Sequence, residues 1–554
     1  MEIALSLIPQ LKKLSTNLLI PITVFVINYS SLFSRNELLG DRGDARLSIV
    51  LYEHWFSFLT GKENLSSTVF FFPASDTLGL TDAFFAQGMV HSLFRFSGFG
   101  AIDSWVLTNF SLMILGILGI SRLASRIFQS QVTVFCLTLI ASIAYPFVTQ
   151  LGHIQSLGYL FIFWLMDWAY LARYGNPGQK KWSKTSLILG FPLLALSNWY
   201  PFALMVLMIC LAILVYLIGS PSSIWKNLVG ILKAALIGIK SKENRNLVVK
   251  LGTISSICLW VLWFRIYFPV MSALSSKSWG EINFFSPRLG DFINASNRAE
   301  GLHKVVYDRL NLSNPPTYER SLGLTFSLVF FVMFLIYLLL RKSNLLSFKD
   351  RRLSWAALCI SLIPIFLIIQ DEFGRSAWYP FWKILPGISS IRVPFRVSIY
   401  SSWILIFLLY YLVRNRKPLI IISLTLLLFW DTSRVIPTDW ERSQYLPVQT
   451  QSVVNQIDEN NCDSFYSRPD ALGDNTIFQI DNEVIASTFG IPTINGYSGN
   501  FAKGWPTGLD PATDAQIISW FEFNAYDRNS RICIFDQSGK LQKVLEYKAK
   551  LSYR

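Results

Sequence analysis

The sequence predicts an all-α polytopic membrane protein of about eleven transmembrane helices, with a small α+β extracytoplasmic domain at its C-terminal end. Three observations predict it. Of 554 residues, 52% are hydrophobic and only 15% charged, whereas a soluble globular chain carries about a quarter charged residues. Apolar runs close to the ~20 residues that cross a bilayer recur along the chain. The loops between those runs are basic on one side only, the pattern of a polytopic protein held by its cytoplasmic charges. Counts of 31 Gly and 23 Pro are ordinary and exclude collagen and low-complexity chains.

The apolar runs fall at 15–33, 104–120, 131–148, 156–172, 185–200, 201–218, 249–270, 322–340, 353–370, 397–413 and 418–430. The fifth and sixth meet at Asn198-Trp199-Tyr200-Pro201 and read either as a tight hairpin or as one broken passage. The last run is short. Lys12 and Lys13 precede the first run and no small-residue cleavage site follows it, so it reads as an anchor and not as a removable signal peptide. With the N-terminus inside, the cytoplasmic pieces are 1–14, 121–130, 173–184, 219–250, 341–352 and 414–417. They hold 22 Lys/Arg against Glu2, Glu243 and Asp350, while the remainder holds 27 basic and 32 acidic residues. The net charge of +14 therefore orients the chain and does not point to nucleic acid.

Three long segments then lie outside: 34–103, 271–321 and the tail 431–554, which leaves 1–430 as the membrane domain. In the tail, Thr476 to Ile480 and Arg531 to Phe535 read as strands. Ile224 to Ile239 reads as a basic amphipathic helix on the inner surface. Cys136, Cys210, Cys258 and Cys359 sit in apolar runs as small packing residues. Cys462 and Cys533 share the tail, where an oxidising compartment permits a disulfide without requiring one. No spacing resembles a zinc site, and the four histidines are scattered.

Ionisable residues are scarce in the runs; Asp167 and Arg265 are the clearest, both near a run's end. A proton- or ion-coupled transporter carries charge near mid-membrane, so the polar chemistry here belongs to the outer face. The first outer segment is the richest. Gly40-Asp41-Arg42-Gly43-Asp44-Ala45-Arg46 precedes a helical stripe of Leu47, Val50, Leu51, His54, Trp55 and Phe58. Phe70 to Pro73, Ser75-Asp76 and Thr81-Asp82 follow, then a second stripe from Phe85 to Phe94. Both stripes predict helices lying along the membrane surface, a lid or floor for a lipid-linked substrate. Asp44 and Asp82 each precede a helix and equally suit an N-cap, and Asp41 suits a turn.

A second constellation is Asp371-Glu372-Phe373-Gly374-Arg375 followed by Arg392-Val393-Pro394-Phe395-Arg396, arginine being the natural clamp for phosphate; headgroup snorkelling is the alternative for each. Gly152-His153-Ile154-Gln155 forms a short outer turn. In the tail, Pro492 to Asn500 offers Tyr497, with Trp505 nearby, as a sugar platform, or is simply a tight loop.

The run from Gly40 to Arg46 with Tyr52-Glu53-His54, Phe71-Phe72-Pro73 and Ser75-Asp76, together with Gly152 to Gln155, Arg392 to Arg396 and Asn495 to Gly499, resembles the bacterial YfhO-like group. That group belongs to, or lies near, the GT-C superfamily of membrane glycosyltransferases. The resemblance implies a GT-C-like fold in a bacterial plasma membrane, with the C-terminal domain extracytoplasmic. It implies transfer of a sugar from a polyprenyl-phosphate donor to a glycan or lipid acceptor, with membrane lipids as surroundings. It also implies an acidic residue in the first outer loop that serves as catalytic base or metal ligand. Asp44 and Asp41 match that position, although they do not form a clean Asp-x-Asp pair, with Asp44 the base and Asp41 assisting or binding a divalent ion such as Mg or Mn. Arg46, His54, Asp76, Asp82, His153, Arg375, Arg392, Arg396 and Tyr497 are the candidate substrate contacts. A flippase or transporter, and a non-catalytic envelope-assembly protein with a degenerate transferase fold, are the other classes open to this sequence.

Overall fold

The computed structural model describes residues 18–33, 36–218, 247–271, 278–292, 301–309, 318–320, 323–341, 345–384, 391–432, 436–470, 475–505 and 508–549. The expected surface helix over Ile224 to Ile239 lies outside these residues.

Each of the eleven apolar runs carries a helix. Among the described residues, six helices are long and apolar enough to cross a membrane: Ala101–Ile127, Gln131–Gly152, Trp199–Ile218, Val248–Val270, Phe348–Ile368 and Pro394–Val413. Leu18–Leu32, Phe326–Leu340 and Pro418–Thr432 are shorter apolar helices. The other two runs depart from simple spans. Residues 156–172 begin as a 3-10 helix, Ile154–Phe161, and become α-helical only at Ile162–Tyr174. Gly158 lies in the tight stretch, where a Cβ would stand 2.6 Å from the Asn198 Oδ1. Residues 185–200 belong to Pro177–Ser197, whose first turns carry Lys180, Lys181 and Lys184.

Asn198 is extended (φ −146°, ψ 99°) and breaks the chain between Pro177–Ser197 and Trp199–Ile218. The new helix starts with a borrowed cap: the Trp199 N–H donates to Asp82 Oδ1 at 2.7 Å. Asp82 therefore caps a distant helix, whereas its own following helix, Phe85–Phe96, has no side-chain cap. Asp44 likewise is not an N-cap. It is the first residue of Asp44–Leu59, and Asp41 Oδ1 accepts the Gly43 and Asp44 N–H groups at 2.8 and 2.7 Å. That is Asx-turn chemistry, and it leaves the Asp44 carboxylate free for other work.

The surface-lying arrangement expected for the helix of the first stripe is not what forms. Asp44–Leu59 is buried on every side from Ala45 to Trp55, packed against Phe85–Phe96, Ala101–Ile127 and the tail helix Thr476–Phe489. Its charged residues find counter-charges within the protein. Arg46, fully buried, meets Asp481 at 2.5 Å, and Glu53 pairs with His91 and Arg95 at 2.5 and 2.9 Å. A polar residue buried with its partner is tolerated, so the amphipathic stripe marks only half of what the helix buries.

Thr476 to Ile480 is helix and not strand. Ile477, Ile480 and Val484 repeat at helical spacing, and the helix Thr476–Phe489 closes on Gly490 at φ 71°, the left-handed cap that glycine adopts freely. The expected strand over Arg531 to Phe535 does form, as Ser530–Phe535. It pairs in parallel with Ser464–Ser467 and antiparallel with Leu541–Tyr547. Cys462 and Cys533 are disulfide-bonded. Cys210 and Cys258 are exposed on their helices and not packed inside.

The tail and the first outer segment share one core. Glu37–Leu38 pairs antiparallel with Trp440–Glu441. The Phe71 and Phe72 N–H groups donate to Asn495 and Thr493 carbonyls at 3.1 and 3.0 Å, and the Thr493 N–H donates back to Val69 at 2.8 Å. Trp520 Nε1 donates to the Phe72 carbonyl at 3.0 Å. Arg46–Asp481 is the charged rivet in this seam. Removing one partner of a buried pair costs about 3–5 kcal/mol, so Arg46→Met should loosen the tail: limited proteolysis of residues 436–549 should accelerate, and unchanged protection would refute the role given to the pair.

Candidate functional site

A cavity of about 460 Å³ opens where the first outer segment, the Asn198 break, the Arg392 loop and the tail converge. Asp44 and Asp82 enter from the first segment, Tyr200 from the helix after the break, Arg392 and Arg396 from the loop, and Tyr497 with Asn500 from the tail. Trp199, Trp263 and Tyr267 supply an aromatic wall. Side chains that the sequence spreads over 450 residues thus face one space.

Under the cavity runs a chain of alternating charge. His153 Nδ1 is hydrogen-bonded to Asp44, and its Nε2 lies 3.1 Å from Glu319 Oε1. Arg396 donates to the same Glu319 oxygen at 2.7 Å. Burial opposes charge on His153, but the Asp44 carboxylate and the hydrogen bonds to Asp44 and Glu319 outweigh it and the opposing Arg396, raising its pKa to about 9. Burial likewise opposes ionisation of Asp44 and Glu319. His153 with Arg396 and Arg392 nevertheless holds Asp44 below its usual value, and Arg396 first among its partners brings Glu319 down to about 2. The pair of remaining carboxyls behaves oppositely. Burial, reinforced by Asp44, raises Asp41 to about 6, and burial raises Asp82 to about 6. Four acids thus separate into two ionised and two poised near neutrality, which is how one site holds both an acid and a base.

The arginines are fixed through aromatic rings. Arg392 lies 5.0 Å above Phe285 and Arg396 5.1 Å above Tyr200. The Tyr200 hydroxyl accepts the backbone N–H groups of Arg392 and, at 3.1 Å, Val393. Arg396 is tied to Glu319, whereas Arg392 has no carboxylate partner among the described residues and its guanidinium lines the cavity. A half-buried guanidinium without a carboxylate contact has the geometry to take up an anion's charge.

Asp41, Asp44 and His153 each offer a ligand atom, all within 4.8 Å of one another. Two carboxylates and an imidazole fit a divalent ion of the Mn or Zn kind better than Mg, which prefers oxygen alone. Ligation requires His153 to lose its proton.

The structure brings Asp41, Asp44, Asp82, His153, Arg392, Arg396 and Tyr497 together and places four other expected contacts elsewhere. Arg46 is locked to Asp481. His54 is buried between Glu63, at 2.6 Å, and the Leu65 carbonyl. Asp76 binds Ser66 and Arg265 at 2.6 and 2.7 Å. Arg375 is exposed and pairs with Asp371 at 2.7 Å. In the tail, Asn495 stitches Ser467 and Gln479 together at 2.7 and 2.9 Å, and Trp505 packs on Phe71 and Trp520, so that loop is structural except where Tyr497 to Asn500 reach the cavity. Glu319 escapes sequence reasoning because it is one acid among many in an outer segment. Tyr200 escapes because a tyrosine beside Trp199 at a helix start reads as an interfacial belt residue.

No family model matches this chain, and no curated protein matches it. Among solved structures it is similar to the crystal structure of the Archaeoglobus fulgidus oligosaccharyltransferase in complex with Zn and sulfate, at 12% identity and a TM-score of 0.41. That similarity covers 93% of this chain and 67% of the other. The properties of the site rest on this chain's own residues.

The raised pKa of His153 makes stability pH-dependent with a definite sign. Protonation is stabilising, so its contribution is complete below the unfolded value of about 6.5 and is lost as pH rises through about 9. The thermal midpoint should fall across this window, and His153→Gln should flatten the fall; equal slopes in both proteins would contradict the bridge.

Proposed function

We propose that this protein is a membrane glycosyltransferase that moves a sugar from a polyprenyl-phosphate donor to an extracytoplasmic glycan or lipid acceptor. The observation that carries the reading is the meeting, in one cavity, of Arg392, which has no carboxylate contact among the described residues, with two carboxylates of unlike acidity, Asp44 and Asp82. Arg392 suits the phosphate whose charge rises as the bond to the anomeric carbon breaks. Asp82 suits the base: one oxygen holds the Trp199 N–H, its acidity lies near working pH, and a carboxylate there can take the acceptor hydroxyl's proton as the new C–O bond forms.

Asp44, kept ionised by His153 and the arginines, suits the fixed negative charge that orders the site better than it suits a base. Asp41, Asp44 and His153 are the residues that would hold a divalent ion, which supplies Lewis-acid stabilisation of phosphate oxygens when bound. Tyr497 and the tryptophans of the wall offer the flat faces on which a sugar ring rests. The resemblance of the first-loop and Arg392 segments to YfhO-like and GT-C proteins supports the same reading.

Reconstitution with polyprenyl-phosphate sugars tests it. Transfer by the intact protein should fall as pH drops through about 6, where Asp82 protonates. Asp82→Asn should lose roughly 10²–10⁴ in rate, and Arg392→Leu should weaken the donor step. Full activity in normally folded Asp82→Asn removes the base, and full activity in Asp44→Asn removes Asp44 from the site. Absence of transfer from every such donor overturns the function itself.

A further inference from the structure

A second cavity lies on the other side of the Asn198 break, among the helices Ala101–Ile127, Ile154–Phe161, Ile162–Tyr174 and Pro177–Ser197. Its volume is about 270 Å³ and its wall is hydrocarbon, formed chiefly by Leu115, Leu160, Phe161, Trp164, Trp168 and Leu193. Gln87 and Asn198 are its polar lining besides Ser197. Ser197 is occupied, since its hydroxyl donates to Leu193 and accepts from Ala86. Gly158 abuts Asn198, and Trp168 stands ten residues further along, about 16 Å at the rise of a 3-10 turn followed by α-helix. The amide pair therefore marks one end of an elongated apolar groove.

That pair is incompletely bonded. Gln87 Nε2 donates to Asn198 Oδ1 at 2.5 Å, which leaves Asn198 Nδ2 as a donor and Gln87 Oε1 as an acceptor, both buried and without a hydrogen-bond partner among the described residues. The two residues are 4% and 1% exposed. Leaving both groups unsatisfied in hydrocarbon is costly. A bridging water satisfies them but fills only about a ninth of the space, at ~30 Å³ per molecule, and the remaining wall is apolar.

We propose that this groove binds a lipid alcohol, with one hydrocarbon chain lying along Leu160 to Trp168. Its hydroxyl donates to Gln87 Oε1 and accepts from Asn198 Nδ2. The free atoms select this chemistry. An ester carbonyl or a phosphodiester brings no hydrogen for Gln87, an ammonium brings no lone pair for Asn198, and among the described residues no cation lines the groove to neutralise an anion. The site is independent of the chemistry in the outer cavity.

The test uses the full chain in phosphatidylcholine vesicles. The probe is a long-chain primary alcohol with a diazirine in its chain, compared with its methyl ether, which accepts but cannot donate. Crosslinked peptides are mapped by mass spectrometry. The alcohol should label 157–168 about fivefold more than the ether. Gln87→Leu should bring that ratio close to one, and Leu193→Trp, which fills the groove, should lower labelling by both probes several-fold. Equal labelling by the two probes in the intact protein overturns the proposal in favour of a bridging water or any chain. Labelling no stronger on 157–168 than on the lipid face of Trp199–Ile218 overturns it as well. If Gln87→Leu fails to fold, the alcohol-to-ether ratio in the intact protein and the Leu193→Trp result decide alone.

Discussion

The interaction on which the site-bearing half of this molecule depends is the buried sequence of charges from Asp44 through His153 and Glu319 to Arg396. Each group comes from a different segment: the start of Asp44–Leu59, the turn before a 3-10 helix, the 3-10 turn Tyr318–Arg320 and the entry to the helix Pro394–Val413. Removing an ion from water is expensive, and attraction in a low dielectric offsets the cost only if every neighbour is in place. The chain is therefore all or nothing. It positions Asp44 at the cavity, and through Arg396 it sets the loop that presents Arg392.

The same logic sorts the four acids. Asp44 and Glu319 sit inside the chain and stay charged. Asp41 and Asp82 sit beside it, desolvated and without a cation of their own, and so move towards neutrality. Burial alone raises a carboxyl and a close cation lowers it; contact with His153 or Arg396 decides between the two outcomes within a small volume. Tyr200 adds the mechanical part. Its ring carries Arg396 and its hydroxyl pins the backbone of Arg392 and Val393, so the two guanidinium groups are held apart, one spent on Glu319 and one left for the cavity.

Much of this was legible in the sequence where period and charge are unambiguous. The apolar runs all carry helices, and Asp44, His153, Arg392 and Arg396 are singled out by their place in polar outer segments. The surface-lying first helix was misread because Arg46, Glu53 and His54 look solvated until Asp481, His91, Arg95 and Glu63 are known, and those partners lie up to several hundred residues away. Thr476 to Ile480 was misread because five residues rich in β-branched and aromatic types satisfy a strand pattern, while Val484 and Gly490, which complete the helix, lie beyond that window. Arg375, with acids and aromatics around it, resembled Arg392, but local contact with Asp371 takes up its charge. Glu319 carried no signal at all, since its role exists only through the side chains that surround it.

The seam between the first outer segment and the tail has a consequence for how the chain is made. Phe72 and Trp520, which close it, are separated by 448 positions. At synthesis rates of roughly 5–20 residues per second, Phe72 waits on the order of 20–90 s for its partner. During that interval Leu38, Phe70 and the buried face of Asp44–Leu59 have no tail to cover them, and Arg46 has no counter-ion. The contacts that this segment makes with the tail can form only once the tail has been made, so the order of synthesis, and not only the finished fold, bears on the last hundred residues.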